Sequence, residues 1–353
     1  MDRGHMSEVN ASHDTGNFYL PHHAVIKPSS TTTRVRVVFD ASAKSSSGLS
    51  LNDVLMTGPT IQDDLFALLI RFRTYTYVLT GDIEKMYRQF NVQPKDRRYQ
   101  RILWRDDDGY IKTYELNTIT FGISSAPYLA IRCLQQLAED EKSDAPIAAN
   151  VLKRDLYVDD LLTGANMFDQ ALRLRNEIID ILKRGGLNIR KWASNESQLL
   201  TGLPKEQIHP KFFGDSSIKT LGISWDTHND DVVYRVDPNF DTRVTKRTIL
   251  STISKIFDPL GLLAPVIITA KILIQKLWRL ELNWDESLPN DLHTEWTTFM
   301  QDFLTLDKVS FPRNVSQRAV VRNELHGFCD ASERAYGACI YLRTIDETGK
   351  IKV

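Results

Sequence analysis

Short apolar runs rich in β-branched and aromatic residues alternate with polar turns along the chain, and each run predicts a strand. Residues 24–40 are predicted to form a hairpin with one apolar face buried and with Arg34 and Arg36 presented to solvent. A second hairpin is expected over residues 99–115. Its tip holds three aspartates followed by Gly109, which favours a solvated turn over a metal site. Further strands are predicted at residues 74–79, 187–192 and 325–332.

Apolar residues at helical spacing follow several of these strands. One helix is expected to open at Thr60, with Asp64 in its first turn. Another is predicted over residues 168–183. It should end at residues 185–186, because the two glycines there readily adopt the left-handed conformation of a helix cap.

The character of the chain changes near residue 245, where the apolar spacing becomes helical. One helix is expected to be stopped by Asp258-Pro259, because proline cannot continue a helix. A second helix is predicted over residues 266–280. It carries Lys271, Lys276 and Arg279 off its apolar face, and the simplest interpretation of these cations is a solvated helix surface.

Composition indicates an ordinary soluble globular protein. The 353 residues are 42% hydrophobic and 25% charged, and the formal net charge is −1. Any attraction for phosphates must therefore come from local basic surfaces. The three cysteines have no C-x-x-C spacing, which excludes a disulfide scaffold or zinc ribbon and favours a reducing, intracellular compartment. No apolar stretch reaches the ~20 residues of a membrane span.

Three aspartates stand at the ends of predicted strands. Asp159 and Asp160 lie in the apolar run 156–162, and Asp82 closes the run that begins at residue 74. A solvated hairpin tip is the simple alternative for the adjacent pair. Two strand ends at one sheet edge could instead cluster three carboxylates, which are oxygen ligands of the kind Mg²⁺ prefers. Two such ions can support in-line phosphoryl transfer, one at the attacking hydroxyl and one at the leaving pyrophosphate.

Residues 157–160, YVDD, resemble the signature of reverse transcriptases. Asp82, followed five positions later by Tyr87, resembles the first palm motif of that family, and residues 121–127, FGISSAP, resemble its template- and nucleotide-positioning motif. The order and spacing of the three motifs agree with the family. The sequence of residues 257–265, FDPLGLLAP, is similar to that found in the BEL/Pao group of long-terminal-repeat retrotransposons.

The resemblance implies a set of metal ligands. Asp82, Asp159 and Asp160 would bind two Mg²⁺ ions, for which Mn²⁺ can substitute, and the backbone carbonyl of Ile83 would join them.

A dNTP site is also implied by the resemblance. Arg36 would hold the triphosphate, for which a guanidinium offers two parallel hydrogen bonds. Tyr87 would exclude ribonucleotides, because its ring would clash with a 2′-hydroxyl. Phe121 and Gly122 would form the floor under the base pair, and Lys191 would bind or protonate the departing pyrophosphate. The alternatives are an exposed strand face for Arg36, a core ring for Tyr87 and a solvated strand position for Lys191.

The resemblance extends toward the C-terminus. Leu221 and Gly222 lie where the family has the hairpin that grips the primer, and the following helices would contact a duplex backbone without sequence preference. Residues 325–332 resemble the first strand of a ribonuclease H domain, with Asp330 as its first metal ligand. One carboxylate cannot hold two ions, and the remaining acidic ligands are not expected before Val353. No ribonuclease H activity is therefore predicted.

The fold expected from the resemblance is an α+β right-hand polymerase. Its predicted parts are a disordered tail (1–17), fingers and palm (18–230), a helical Pao-type thumb and connection (231–320) and a truncated ribonuclease H start (321–353).

The predicted activity is RNA-directed DNA polymerisation, the addition of dNTPs to a primer on an RNA or DNA template. We expect it in the cytoplasm, including retrotransposon particles, without a membrane partner; the oligomeric state stays open. The alternative is a catalytically idle, nucleic-acid-binding retroelement remnant. The three intact aspartates favour activity, whereas the incomplete ribonuclease H segment favours the alternative.

Overall fold

The computed structural model describes a mixed arrangement of helices and sheets. The described residues are 4–10, 16–28, 34–212, 214, 217–236, 243–317 and 319–353. Much of the predicted tail lies outside them. Within the described part, Met6–Glu8 form a strand, although the lack of periodicity there predicted disorder. This strand pairs antiparallel with residues 114–116, so a partner far along the chain supplies the order that local sequence does not indicate.

Helices and strands are interspersed along the first part of the chain, whereas the last three helices and the last four strands form consecutive runs. The helices are α1 (Leu51–Val54), α2 (Leu65–Phe72), α3 (Ala126–Asp140), α4 (Pro146–Arg154), α5 (Phe168–Arg184), α6 (Lys246–Ser254), α7 (Ala264–Arg279) and α8 (Asn290–Phe303). The strands are β1 (Met6–Glu8), β2 (His22–Ile26), β3 (Val35–Phe39), β4 (Tyr77–Ile83), β5 (Arg101–Arg105), β6 (Ile111–Leu116), β7 (Leu156–Tyr157), β8 (Asp160–Ala165), β9 (Ile189–Ser194), β10 (Ile218–Thr220), β11 (Ile223–Asp226), β12 (Asp231–Val233), β13 (Ser310–Pro312), β14 (Val320–Ala331), β15 (Tyr336–Asp346) and β16 (Ile351–Lys352).

The chain forms two compact units. The first contains residues 1–63, 82–159 and 176–189, and the second contains residues 64–81, 160–175 and 190–353. A four-stranded sheet has the strand order β7-β8-β4-β9.

The first unit holds two smaller sheets. Strands β1, β6 and β5 form one, and the β5–β6 hairpin with its Asp106–Gly109 tip is as predicted. Strands β2 and β3 form the other. The prediction that one face of this hairpin is buried was wrong over most of its length, since Val25, Ile26 and Val35 are exposed. Burial is confined to the end at Phe39, which packs into the core cluster of this unit.

Helix boundaries follow local capping chemistry. Helix α2 does not open at Thr60; it begins at Leu65, because the Asp64 carboxylate accepts a hydrogen bond from the Ala67 amide and acts as its N-cap. Helix α5 ends at Arg184 as expected, with Gly186 at φ +72° and its amide bonded to the Lys183 carbonyl.

The second unit contains the C-terminal helices. Helix α6 ends at Ser254, before Asp258-Pro259, and α7 covers the predicted second helix. Helix α8 was not predicted. The three helices share one core, whose buried residues include Ile249, Leu273, Leu277, Trp296 and Phe303.

A buried arginine ties distant parts of the second unit together. The fully buried guanidinium of Arg313 pairs with the Asp230 carboxylate at 2.6 and 2.7 Å. It also donates to the backbone carbonyls of Phe72 and Tyr75. One side chain thus joins the end of α2, the β11–β12 turn and the segment after β13.

The chain ends in the antiparallel sheet β14-β15-β16. Strand β14 covers the predicted strand 325–332 except for its last residue, and Asp330 lies exposed near the end of β14. Among the described residues, none of the helices is long and apolar enough to cross a membrane.

Candidate functional site

The segments that carry Asp82 and Asp159 lie side by side in the first unit. The Ile83 amide donates a hydrogen bond of 2.8 Å to the Asp159 backbone carbonyl. The turn between β7 and β8 places Val158 at φ +56°, a strained conformation for a β-branched residue. The Val158 amide is held by the Gln62 side-chain oxygen at 2.8 Å. Residues about 75 positions apart in sequence thus meet at one place, and Gln62 is a contributor that the sequence did not indicate.

Asp160 follows Asp159 directly and begins β8. Carboxylate oxygens and the Ile83 carbonyl are hard donors of the type that suits Mg²⁺. Within the described ranges, no group of three or more histidine, cysteine, aspartate or glutamate side chains is placed so that it could hold a metal ion. The grouping of the three aspartates around two ions therefore stays a prediction.

Tyr87 lies close to Asp159. It belongs to a 3₁₀ turn, Met86–Gln89, in which Met86 is buried and the tyrosine is half-buried. Burial, reinforced by the negative charge of Asp159, raises the pKa of Tyr87 above its ordinary value. Met86 fills the core position of this turn, and the Tyr87 ring keeps part of its surface exposed, so its contact with a substrate stays a prediction.

Gly122 occupies a position that no other residue fits. Its φ is +93°, and a Cβ there would lie 2.3 Å from the backbone oxygen of Phe39. Asn52 holds the turn from outside: its side-chain amide donates to the Gly122 carbonyl at 3.1 Å, and its side-chain oxygen accepts from the Ser124 amide at 2.8 Å. No motif or periodicity indicated this role for Asn52.

Phe121 contacts strand β3 through Phe39, and Arg36 is itself a residue of β3. The Phe121 ring packs on the Phe39 ring at 5.4 Å, and the Arg88 guanidinium lies over Phe121, also at 5.4 Å. Arg36 is exposed on β3 opposite Val25, on the other side of the strand from Phe39. Arg88 therefore places a positive charge at the predicted floor of the dNTP site. Arg36 is exposed, which fits both triphosphate binding and a simple exposed strand face.

Lys191 lies in β9 with an unusual backbone. Its φ is +54°, and the next residue, Trp192, is fully buried. A regular solvated strand position does not need a left-handed residue. Several other residues of the chain, among them Glu281 and Ala319, also have a positive φ, so the role of Lys191 stays a prediction.

Leu221 and Gly222 form the two-residue turn between β10 and β11. Their φ angles are +46° and +88°, and Thr220 pairs with Ile223 across the turn, as in a type I′ hairpin. The predicted short hairpin is confirmed. Its gripping function is not tested by this geometry.

A basic groove of about 800 Å³ runs beside this hairpin in the second unit. No aspartate or glutamate is among the described residues that line it. Hydroxyl groups of serine and threonine also line it. Its cations are Lys211, Lys219, Arg235, Arg247 and Lys255. Arg247 also pairs at 2.8 Å with the Asp285 carboxylate, which lies outside the lining. Apolar side chains make up much of the remaining lining, so the cations and hydroxyl groups are the part of it that suits a phosphate backbone.

Asp330 remains exposed on β14. Its carboxylate accepts a hydrogen bond from the Ala331 amide at 2.8 Å.

Two protein-family models match the chain. Residues 34–223 match the family model described as reverse transcriptase (RNA-dependent DNA polymerase), which is more than half of the chain. The chain therefore belongs to the reverse transcriptase family. Residues 245–353 match the Pao retrotransposon-like RNaseH-like domain, and together the two matches identify a Pol fragment of a BEL/Pao-type retrotransposon. A search of curated proteins found no match.

Proposed function

We propose that this chain is an RNA-directed DNA polymerase that adds dNTPs to a primer 3′ end by in-line phosphoryl transfer. Asp82, Asp159 and Asp160 would hold two Mg²⁺ ions, which supply activation of the hydroxyl and neutralise charge on the pyrophosphate. The observation that carries the proposal is the hydrogen bond from the Ile83 amide to the Asp159 carbonyl, because it joins the two carboxylate motifs inside the matched family region.

The dNTP would occupy the surface around Tyr87 and Gly122. Tyr87, close to Asp159, would exclude a 2′-hydroxyl by steric bulk, and the rigid turn at Phe121 and Gly122 would support the base pair. Arg36 would bind the triphosphate, and Lys191 would act on the departing pyrophosphate. The proposed floor is supported by the two hydrogen bonds with Asn52 that hold the Gly122 turn, and the proposed role of Arg36 is supported by its exposure.

The basic groove beside Leu221 and Gly222 would bind the backbone of the primer–template duplex. Five cations, of which Arg247 is paired with Asp285, would attract phosphates, and the affinity should fall as salt rises. In this scheme the α+β fold has the right-hand organisation of fingers, palm and thumb, with the helices after residue 245 as thumb and connection.

The second candidate is duplex binding without synthesis. The groove supports this candidate equally well. Its cations all belong to the second unit, and none of the three candidate metal-binding aspartates lines it, so duplex binding there would not require them.

Primer extension separates the two candidates. We expect the protein to extend a DNA primer on an RNA template with Mg²⁺. Asp159→Asn should reduce extension by at least about a hundredfold, because a ligand charge at the reacting phosphate is lost. Asp107→Asn, a charge-matched change at the exposed hairpin tip, should leave it unaltered. Salt-sensitive duplex binding with no extension by any of the three proteins would establish the second candidate.

We propose that the ribonuclease H-like segment does not cleave RNA, because Asp330 alone would not hold the two metal ions that this reaction needs. Degradation of the RNA strand by the pure protein, abolished by Asp330→Asn, would contradict this.

A further inference from the structure

Phe257 lies directly on the two-residue turn of the β10–β11 hairpin. A Cβ built on Gly222 would be only 2.6 Å from both Cδ1 and Cε1 of the Phe257 ring. The neighbouring residue in the turn, Leu221, has a φ of +46°, which strains a residue that bears a side chain. Type I′ turns normally place asparagine, aspartate or glycine at this position. An aromatic ring packed on the turn restricts how it can relax.

Asp258 anchors the segment that carries this ring. Its carboxylate accepts hydrogen bonds from the Leu262 amide at 3.0 Å and the Leu263 amide at 2.7 Å, just before α7. It also accepts a hydrogen bond of 2.9 Å from the Tyr234 hydroxyl, directly after β12. The ring of Phe257 is therefore held in place by its neighbour, which binds both to the start of α7 and to the sheet that contains the hairpin.

The exposure of Phe257 argues against a purely structural role. The side chain is 47% exposed, so about half of the benefit of burying a phenylalanine is absent. Together with Gly222 and Lys255, it lines the basic groove. Its packed face meets the hairpin turn, and its exposed face borders the space proposed for the duplex.

We propose that Phe257 and Asp258 are positioning residues that fix the Leu221-Gly222 turn against the primer strand. This inference rests on the proposed function, since it assigns a task to residues beside the proposed duplex groove. Nucleotide addition requires the primer 3′ hydroxyl to be aligned with the α-phosphate, and a shift of about 1 Å in a positioning element can strongly slow such a reaction. A ring that limits movement of the turn would limit movement of the primer end.

Steady-state kinetics with Phe257→Ala test the proposal. We expect kcat to fall and the KM for primer–template to rise, each about tenfold, because a loosened turn aligns and holds the primer less well. The KM for dNTP should change less than about twofold, because the dNTP floor is not altered. Phe257→Tyr keeps the ring and should restore the KM for primer–template. Phe66→Ala removes a similarly exposed ring, 54% exposed on α2, and should behave like the unmodified protein. An unchanged KM for primer–template, or an equal rise in both KM values, would overturn the proposal.

Hydrogen exchange supplies a readout that does not need activity. Amides of the hairpin at residues 218–226 should exchange faster in Phe257→Ala and in Tyr234→Phe, which removes the hydrogen bond to Asp258 but keeps the ring. The exchange of core amides in α7 should not change. If the hairpin amides keep their protection in both variants, the proposal fails whether or not the protein synthesises DNA. Faster exchange of the hairpin amides in a protein without polymerase activity would support the role of Phe257 and Asp258 in fixing the turn and would refute only the proposed function.

Discussion

Gly122→Ala is expected to damage the candidate dNTP floor through one short contact. At φ +93°, alanine costs about 1 kcal/mol relative to glycine. The new methyl group would also lie 2.3 Å from the Phe39 oxygen. This is about 1 Å closer than van der Waals contact allows, and overpacking of this kind costs about 1–3 kcal/mol. Movement of the turn would in addition weaken the hydrogen bonds that Asn52 makes to it.

Gly109→Ala is the matched control. Gly109 has a nearly identical φ of +89°, and nothing lies within 4 Å of the point that an alanine methyl group would occupy, so this variant carries the conformational cost alone. In urea unfolding, Gly122→Ala should lower the free energy of unfolding by about 2 kcal/mol more than Gly109→Ala does. In primer extension, only Gly122→Ala should raise the KM for dNTP, by about tenfold. Equal stability of the two variants would refute the reasoning from steric contact, and an unchanged KM would refute the assignment of the floor.

Three further results are expected. Arg313→Met should lower the free energy of unfolding by about 3–5 kcal/mol, because it leaves the partly buried Asp230 carboxylate without its buried partner; a loss below 1 kcal/mol in urea titration would contradict this. Tyr87→Ala should admit ribonucleotides at least about tenfold better relative to dNTPs, whereas Tyr87→Phe should not; unchanged selectivity in competition assays would defeat the role of the ring. The hydrogen bond from Lys44 lowers the pKa of Asp53 from 3.8 to about 2. Because the folded-state pKa is depressed, this stabilisation is complete above about pH 4 and is lost as the pH falls toward 2. Thermal melting should therefore show a difference between Asp53→Asn and the unmodified protein at pH 6 that disappears near pH 2, and a pH-independent difference would contradict the assignment.

Features set by neighbouring residues were predictable. The β5–β6 hairpin follows from alternating residues on either side of a turn that ends in Gly109, and the end of α5 follows from the glycine at position 186. The spacing of Leu292, Trp296 and Met300 contained an equally local signal for α8 that the sequence interpretation missed.

Features set by distant residues were not predictable from the sequence. Asn52 reaches Ser124 across 72 positions, and Arg313 reaches Asp230 across 83. No periodicity or motif marks such partners, because the hydrogen bonds form only after the chain has folded. The exposed valine residues of the β2–β3 hairpin show the same limit. Alternation predicts that a face is apolar, but packing by other elements decides whether that face is buried.

The sequence motifs identified the candidate site residues but not the residues that support them. Asp82, Asp159 and Tyr87 were singled out from spacing and resemblance, and the structure brings their segments together in the first unit. Gln62, Asn52 and Arg88, which hold or flank these segments, carry no chemistry that a motif would specify.

The most direct test of the central claim is the Mg²⁺ dependence of single-nucleotide addition to a DNA primer on an RNA template. Addition should be absent in EDTA, rise with Mg²⁺ and saturate, and it should be supported by Mn²⁺. Asp82→Asn should abolish it without weakening duplex binding, since the variant removes a proposed metal ligand and leaves the basic groove intact. Addition that persists without a divalent cation, or at an unchanged rate in Asp82→Asn, would contradict the account.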